Sequence, residues 1–120
     1  MDRLNVIEQL DGAIAEARGW AEVGWPMHFG RNSVRVSSLS EAQGQPNAFV
    51  YRQEAIAYWK QVAELGQETA EQGEKAKQAL AQQDLRLAEG AVYWAAYMEK
   101  KLNKPVPTWE PLLATLRSLV

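Results

Sequence analysis

A long stretch without proline, from Phe49 to Leu80, constrains the fold of this chain more than any other feature. It is dominated by Ala, Gln, Glu and Lys, which favour helix when summed over a window of this length. Apolar or small residues recur along it at intervals of seven, so one face of the helix can be buried. They form two series: Phe49, Ile56, Ala63 and Ala70 in one, and Trp59, Gly66, Gly73 and Leu80 in the other.

A second helix is predicted directly after this one. Asp84 can cap it after a turn at residues 82–83, because aspartate is favoured at helix N-caps. Gly66 and Gly73 each cost roughly 0.5 to 1 kcal/mol inside a helix relative to alanine, so we expect them to allow the close approach of another backbone. We expect the second helix to supply that backbone, with Gly73 near Val92. The alternative is a break at one of the two glycines that divides the first helix.

The predicted fold class is all-α, a small bundle of three or four helices built on this long antiparallel hairpin. Asp2 and Thr108 are the predicted N-caps of the first and last helices. The leucine-rich last helix is expected to pack on the hairpin, or else to dock into a groove of a partner. Within a single domain of residues 1–120, helices are predicted over 1–19, 47–82, 84–102 and 108–119, with an irregular connection or a short β-ribbon over 20–46.

Composition excludes several kinds of site. The formal net charge of −2 gives no electrostatic reason to expect nucleic acid or an anionic membrane as a default partner, so weak nucleic-acid binding is only a second alternative function. Without cysteine there is no disulfide, thiol nucleophile or thiolate metal site. No apolar run approaches the roughly 20 residues that span a bilayer, and the first ten residues lack the apolar core of a signal peptide. We therefore expect a cytoplasmic protein without a bound metal or cofactor.

The sequence does not indicate an enzyme. Patterns for phosphate loops, dinucleotide folds, zinc proteases and α/β hydrolases are absent, and one histidine cannot make a multi-histidine metal site. The connection over 20–46 is long enough to be functional, so it offers the alternative prediction of a small-ligand or catalytic site over the bundle. That site would use His28, Arg31 and Arg35, since histidine titrates near neutral pH and arginine can bind phosphate.

Aromatic residues give the main functional signal. Five tryptophans and four tyrosines are many for 120 residues, and tyrosine and tryptophan are enriched at binding hot spots. They either pack in the core or form a partner surface. The leading prediction is a non-enzymatic protein–protein interaction module, such as an adaptor, regulator or inhibitor, that binds another protein or itself as a homodimer. The candidate partner-binding residues are Tyr51, Tyr58, Tyr93, Trp94, Tyr97, Trp25 and Phe29.

Overall fold

The computed structural model describes residues 3–31 and 34–119, so the predicted cap Asp2 lies outside the described residues. The predicted all-α fold is confirmed within these ranges. The molecule is elongated, with extents of 54 × 19 × 18 Å, because one helix runs along most of its length. The helices are α1 Arg3–Arg18, α2 Trp20–Val23, α3 Leu39–Gln43, α4 Arg52–Ala81, α5 Leu85–Lys100 and α6 Trp109–Arg117, and a ribbon pairs β1 His28–Phe29 with β2 Val34–Arg35 antiparallel.

The long helix α4 begins five residues later than predicted and has no break. Before it, the backbone makes two turns, in which Phe49 N donates to the Pro46 carbonyl (2.9 Å) and Arg52 N to the Phe49 carbonyl (3.1 Å). The Arg52 guanidinium ties these turns down by donating to the carbonyls of Gln45 (2.8 Å) and Gln43 (2.9 Å). These bonds take the place of a helical ladder, which is why the prediction of helix over 47–51 is wrong.

Both helical glycines of α4 face α1. A Cβ on Gly66 would clash with the backbone carbonyl of Ala17, and a Cβ on Gly73 would press on the side chains of Ile14 and Trp109. The expectation that the second helix of the hairpin supplies the close neighbour at these glycines is therefore wrong, because the added Cβ atoms would meet residues of α1, α2 and α6. A repeat of seven residues marks the buried positions of a helix, but it does not say which neighbour covers them.

The hairpin itself forms as predicted. The Asp84 carboxylate caps α5 by accepting from Leu87 N at 3.1 Å. Gln83 takes the left-handed conformation, with φ of 62°, that reverses the chain between α4 and α5. One member of the predicted stripe, Ala63, is exposed. The stripe that α4 buries is Ala55, Trp59, Val62, Gly66, Thr69, Ala70, Gly73, Ala76, Ala79 and Leu80.

The connection over 20–46 is more regular than predicted, although the short ribbon is confirmed. It contains α2, the ribbon and α3, and the Ser38 hydroxyl caps α3 by accepting from Glu41 N at 3.1 Å. The Trp59 indole of α4 donates to the Val36 carbonyl at 3.0 Å, and Val36 N donates to the Met27 carbonyl at 2.8 Å. One tryptophan of the long helix thus holds the ribbon against the bundle.

The last helix packs on its own chain. Its residues Trp109, Leu112, Leu113 and Leu116 are buried, and α6 contacts both α5 and α1. The expectation that this helix packs on the bundle is met. The alternative, in which its leucines dock into a partner, does not fit residues that the chain itself already covers.

Replacing Gly66 with alanine tests the contact between α1 and α4. We expect Gly66→Ala to lower the free energy of unfolding by about 1 to 2 kcal/mol, because overpacking against a backbone costs more than the gain in helix propensity. The control is Gly12→Ala, where the added Cβ meets nothing within 4 Å and a gain of about 0.5 to 1 kcal/mol is expected. Urea unfolding followed by circular dichroism measures both. Equal stability of the two variants would contradict this packing.

Candidate functional site

Four aromatic residues form a packed cluster where the connection over 20–46 meets α4. The ring centroids of Trp25 and Trp59 are 5.0 Å apart, as are those of Tyr58 and Trp59, and Phe29 lies 5.9 Å from Tyr58. The Trp25 indole donates to the Tyr58 hydroxyl at 3.2 Å, and burial raises the pKa of Tyr58. Trp25 and Phe29 are buried, so these two predicted partner-binding residues belong to the core.

Tyr51 also has a packing role. It is half-buried and its ring lies 6.1 Å from that of Phe49. Its edge fills the space beside Gly30, whose φ of +81° and missing Cβ both suit this close approach. Tyr51 and Tyr58 therefore pack on the ribbon and its flanking turns, and each ring already has a partner within the chain.

The remaining three predicted residues, Tyr93, Trp94 and Tyr97, are exposed on α5. Their exposed fractions are 53%, 54% and 44%, and the Trp94 and Tyr97 rings meet edge to face at 5.4 Å. α5 buries Ala88, Ala91, Val92, Ala95, Ala96, Met98 and Glu99, so residues three and four positions apart are left on its outer side. We call these residues the α5 surface: Leu87, Gly90, Tyr93, Trp94, Tyr97 and Lys101.

The two ends and the centre of the α5 surface differ in chemistry. At one end Leu87 is 41% exposed, and at the other the Lys101 ammonium lies 4.8 Å from the centroid of the Tyr97 ring. Gly90 lies on the exposed side between Leu87 and Trp94, and a Cβ there would meet nothing within 4 Å. Packing within the described part of the chain therefore gives no reason for a glycine at this position.

Two grooves border the α5 surface. The larger, of about 280 Å³, lies toward α4 and is lined by Glu68, Glu71, Gln72, Trp94 and Met98. The smaller, of about 80 Å³, lies toward α6 and is lined by Tyr93, Ala96, Tyr97, Lys100, Glu110 and Leu113. The exposed rings of the α5 surface thus lie between a groove with two carboxylates and a groove that contains the Lys100–Glu110 ion pair.

The three residues of the alternative ligand site do not line one pocket. His28 and Arg35 are a cross-strand pair of the ribbon, and both are exposed. The Arg35 guanidinium donates to the Ser37 hydroxyl at 3.0 Å. Arg31 instead lines a groove of about 290 Å³, to which neither His28 nor Arg35 contributes. The other residues that line that groove are Phe29, Gly30, Val34, Ala48, Phe49, Val50 and Tyr51.

A buried carboxylate, which the sequence did not single out, starts the last helix. Glu99 of α5 is 3% exposed and accepts hydrogen bonds from Thr108 N (2.9 Å) and Trp109 N (2.9 Å). These backbone N–H groups lie at the start of α6 and have no partner within that helix. Thr108 does occupy the predicted N-cap position of α6, but its side chain makes no capping hydrogen bond. Its hydroxyl instead donates to the Glu16 carboxylate at 2.9 Å.

Lys104 connects this cap to α1. Its ammonium is 2.9 Å from Glu16 and 3.2 Å from Glu99, and it also donates to Thr108 Oγ1 and to the Val106 carbonyl. The side chain is only 9% exposed. Sequence position indicated a cation near the C-terminus of α5, but the two carboxylates come from α1 and α5 and meet only in the folded chain.

The described residues show neither a cluster of metal ligands nor a helix that could span a membrane. Residues 3–31 and 34–119 contain no cluster of three metal-ligating side chains. Over the same residues, no helix combines the length and the apolar character needed to cross a bilayer.

In comparisons with protein-family models, curated proteins and solved structures, nothing matched this chain. Evidence about function therefore comes from the geometry alone.

Removing the buried cap should destabilise the protein strongly. We expect Glu99→Ala to cost about 3 kcal/mol of unfolding free energy, because it leaves two backbone donors unpaired and removes one of the two carboxylates that face the Lys104 ammonium. The control is Glu110→Ala, which removes an exposed ion pair with Lys100 at 3.0 Å and should cost less than about 1 kcal/mol. Chemical unfolding at pH 7 measures both, and similar costs would argue against the cap.

The Glu16 carboxylate should make stability depend on pH. Burial raises its pKa, but hydrogen bonds from Lys104 and Thr108 and the charge of Lys104 outweigh that effect, so the pKa is lowered from 4.5. A lowered pKa in the folded state adds stability above the unfolded value, which is lost as the pH falls through the folded value. The stability difference between wild type and Glu16→Gln should therefore be full at pH 6 and shrink below pH 4.5. A difference that is constant with pH would contradict this.

Proposed function

We propose that this chain is a non-enzymatic protein–protein interaction module that binds its partner through the α5 surface. The observation that supports it most is the exposure of three neighbouring aromatic side chains, Tyr93, Trp94 and Tyr97, on a well-formed helix. Single exposed apolar residues are normal, but contiguous patches are typical of interaction sites. Tyrosine and tryptophan are also the residue types that contribute most to binding hot spots.

The other aromatic residues strengthen this proposal by contrast. Trp25, Phe29, Tyr58 and Trp59 pack together around the ribbon, so the chain has enough aromatic residues for its core without the three on α5. The exposed indole of Trp94 is held by the Tyr97 ring at 5.4 Å. A side chain that is already ordered loses less conformational entropy on binding than a free one.

Gly90 adds support from a different direction. A helical glycine costs roughly 0.5 to 1 kcal/mol relative to alanine, and no contact within the described chain requires this one. It lies between Leu87 and Trp94 on one exposed helix face, where an added Cβ would meet nothing. Such a face suits a helix of a partner, because the missing side chain lets the second backbone come close.

The partner is proposed to be another protein or a second copy of the chain, and the location to be the cytoplasm. The groove lined by Arg31 supports a small-ligand or catalytic site less well, since it brings one charged side chain and no second catalytic group among its lining residues. The α5 surface is therefore the first to be tested by mutation.

The test compares what tagged variants recover from nuclease-treated host lysate after brief cross-linking, read by mass spectrometry. The double variant Trp94→Ala/Tyr97→Ala should recover its specific partner at least about tenfold less than wild type, as loss of hot-spot residues predicts. The control, Val50→Ala/Val106→Ala, removes two exposed apolar side chains elsewhere and should recover the same partner. Circular dichroism checks that all variants fold.

Two results would decide against the proposal. One is recovery of the same proteins, in the same amounts, by wild type and the Trp94→Ala/Tyr97→Ala variant. The other is recovery of the bait alone by every variant, together with a monomeric mass at all concentrations in light scattering. A mass that doubles with concentration, and does so only when Trp94 and Tyr97 are present, would support the version in which the partner is a second copy.

A further inference from the structure

The groove between α4 and α5 indicates the chemistry of the partner. It has a volume of about 280 Å³ and is lined by Trp94 and Met98 from α5 and by Glu68, Glu71 and Gln72 from α4. Sites for small molecules generally occupy about 300 to 1,000 Å³ and enclose the ligand. An open groove at the lower end of that range, next to the exposed rings of the α5 surface, suits one long side chain of a docked protein.

Two of the residues that line this groove, Glu68 and Glu71, are carboxylates and give it a negative charge. Glu64, Glu68 and Glu71 follow one another on α4 at spacings of four and three, and all three are exposed. Within the described residues none of them forms an ion pair, and Glu71 accepts only a hydrogen bond of 3.4 Å from the Gln67 amide. The cation at the far end of the surface, Lys101, lies over the Tyr97 ring.

An aromatic ring beside unpaired carboxylates is the environment that a guanidinium group prefers. Its planar face stacks on indole or phenol rings, while its N–H groups donate to carboxylates, often in pairs. In this groove the indole of Trp94 supplies the ring, and Glu68 and Glu71 supply the acceptors. A lysine ammonium is a compact charge that does not stack in this way, so arginine fits better.

Resting on the proposed function, we infer that the α4–α5 groove accepts an arginine side chain of the protein partner, which stacks on Trp94 and pairs with Glu68 and Glu71. The rest of the partner's apolar face would cover Tyr97 and Leu87 across Gly90. The partner is accordingly a segment that carries apolar residues and arginine on one side, such as a basic amphipathic helix.

The experiment uses two synthetic helical peptides of leucine and alanine that are identical except at four positions. One peptide carries arginine there, and the other carries citrulline, which has nearly the same shape but no charge. Binding to the full chain is measured by fluorescence anisotropy of the labelled peptide, and the site is mapped by amide and indole shifts in ¹⁵N–¹H spectra. We expect the arginine peptide to bind at least about tenfold more tightly, with the largest shifts at Glu68, Gln72 and Trp94.

Matched variants separate this groove from general attraction between a basic peptide and an acidic protein. Glu68→Gln/Glu71→Gln should weaken the arginine peptide about tenfold, whereas Glu8→Gln/Glu22→Gln, with the same change in net charge on α1 and α2, should not. Trp94→Leu keeps an apolar side chain but removes the ring and with it the cation–π attraction, so it should weaken the arginine peptide more than the citrulline peptide. All these residues are exposed, so the variants should fold.

Several outcomes would overturn the inference. They are equal affinities of the two peptides, equal effects of the two glutamine variants, free N-acetylarginine amide binding as tightly as the peptide, and self-association through the groove in the absence of peptide. Failure here is distinct from failure of the proposed function. If the two peptides bind alike but the lysate partner still requires Trp94 and Tyr97, only the arginine is wrong; if the partner does not require them, the interaction surface itself is wrong.

Discussion

The close contact of α1 with α4 at Gly66 and Gly73 is the packing on which the rest of the structure depends. Because neither glycine has a side chain, the backbone at Ala17 can lie directly on α4, and Ile14 and Trp109 fill the space at Gly73. This position of α1 also brings Glu16 to Lys104 and so fixes the end of the chain. Two small residues in one helix thus decide where three other helices can lie.

The polar contacts among Glu16, Glu99, Lys104 and the first N–H groups of α6 fix where α6 begins. A carboxylate buried at Glu99 would be unfavourable alone, but it is compensated by the ammonium of Lys104 and by two backbone N–H groups. Glu16 of α1, Glu99 of α5 and the first N–H groups of α6 meet in this network, so it favours one arrangement of the three helices. The outer side of α5 takes no part in these contacts. Its exposed residues therefore have no known structural role in the bundle, which is why they are the strongest candidates for binding.

Burial separates the aromatic residues into two groups that their sequence spacing could not separate. Tyr58 and Tyr97 both fall on predicted helix faces, yet Tyr58 lies against Trp59 and Phe29, while Tyr97 is exposed beside Trp94. The connection over 20–46 folds back onto the N-terminal half of α4 and covers one group. Among the described residues, nothing comparable covers the other. The candidate site thus consists of the aromatic residues that the core does not bury.

The sequence by itself determined the all-α class, the hairpin with its cap at Asp84, and the set of aromatic residues from which the site is drawn, because helix propensity, capping and periodicity are local properties. Only the tertiary structure decided that Gly66 and Gly73 face α1, that Glu99 rather than Thr108 caps α6, and that Tyr93, Trp94 and Tyr97 are exposed. Each of these depends on which distant segment covers a given face. Periodicity marks a face that can be buried, but the neighbour that buries it is set by competition among all segments for the same apolar surface.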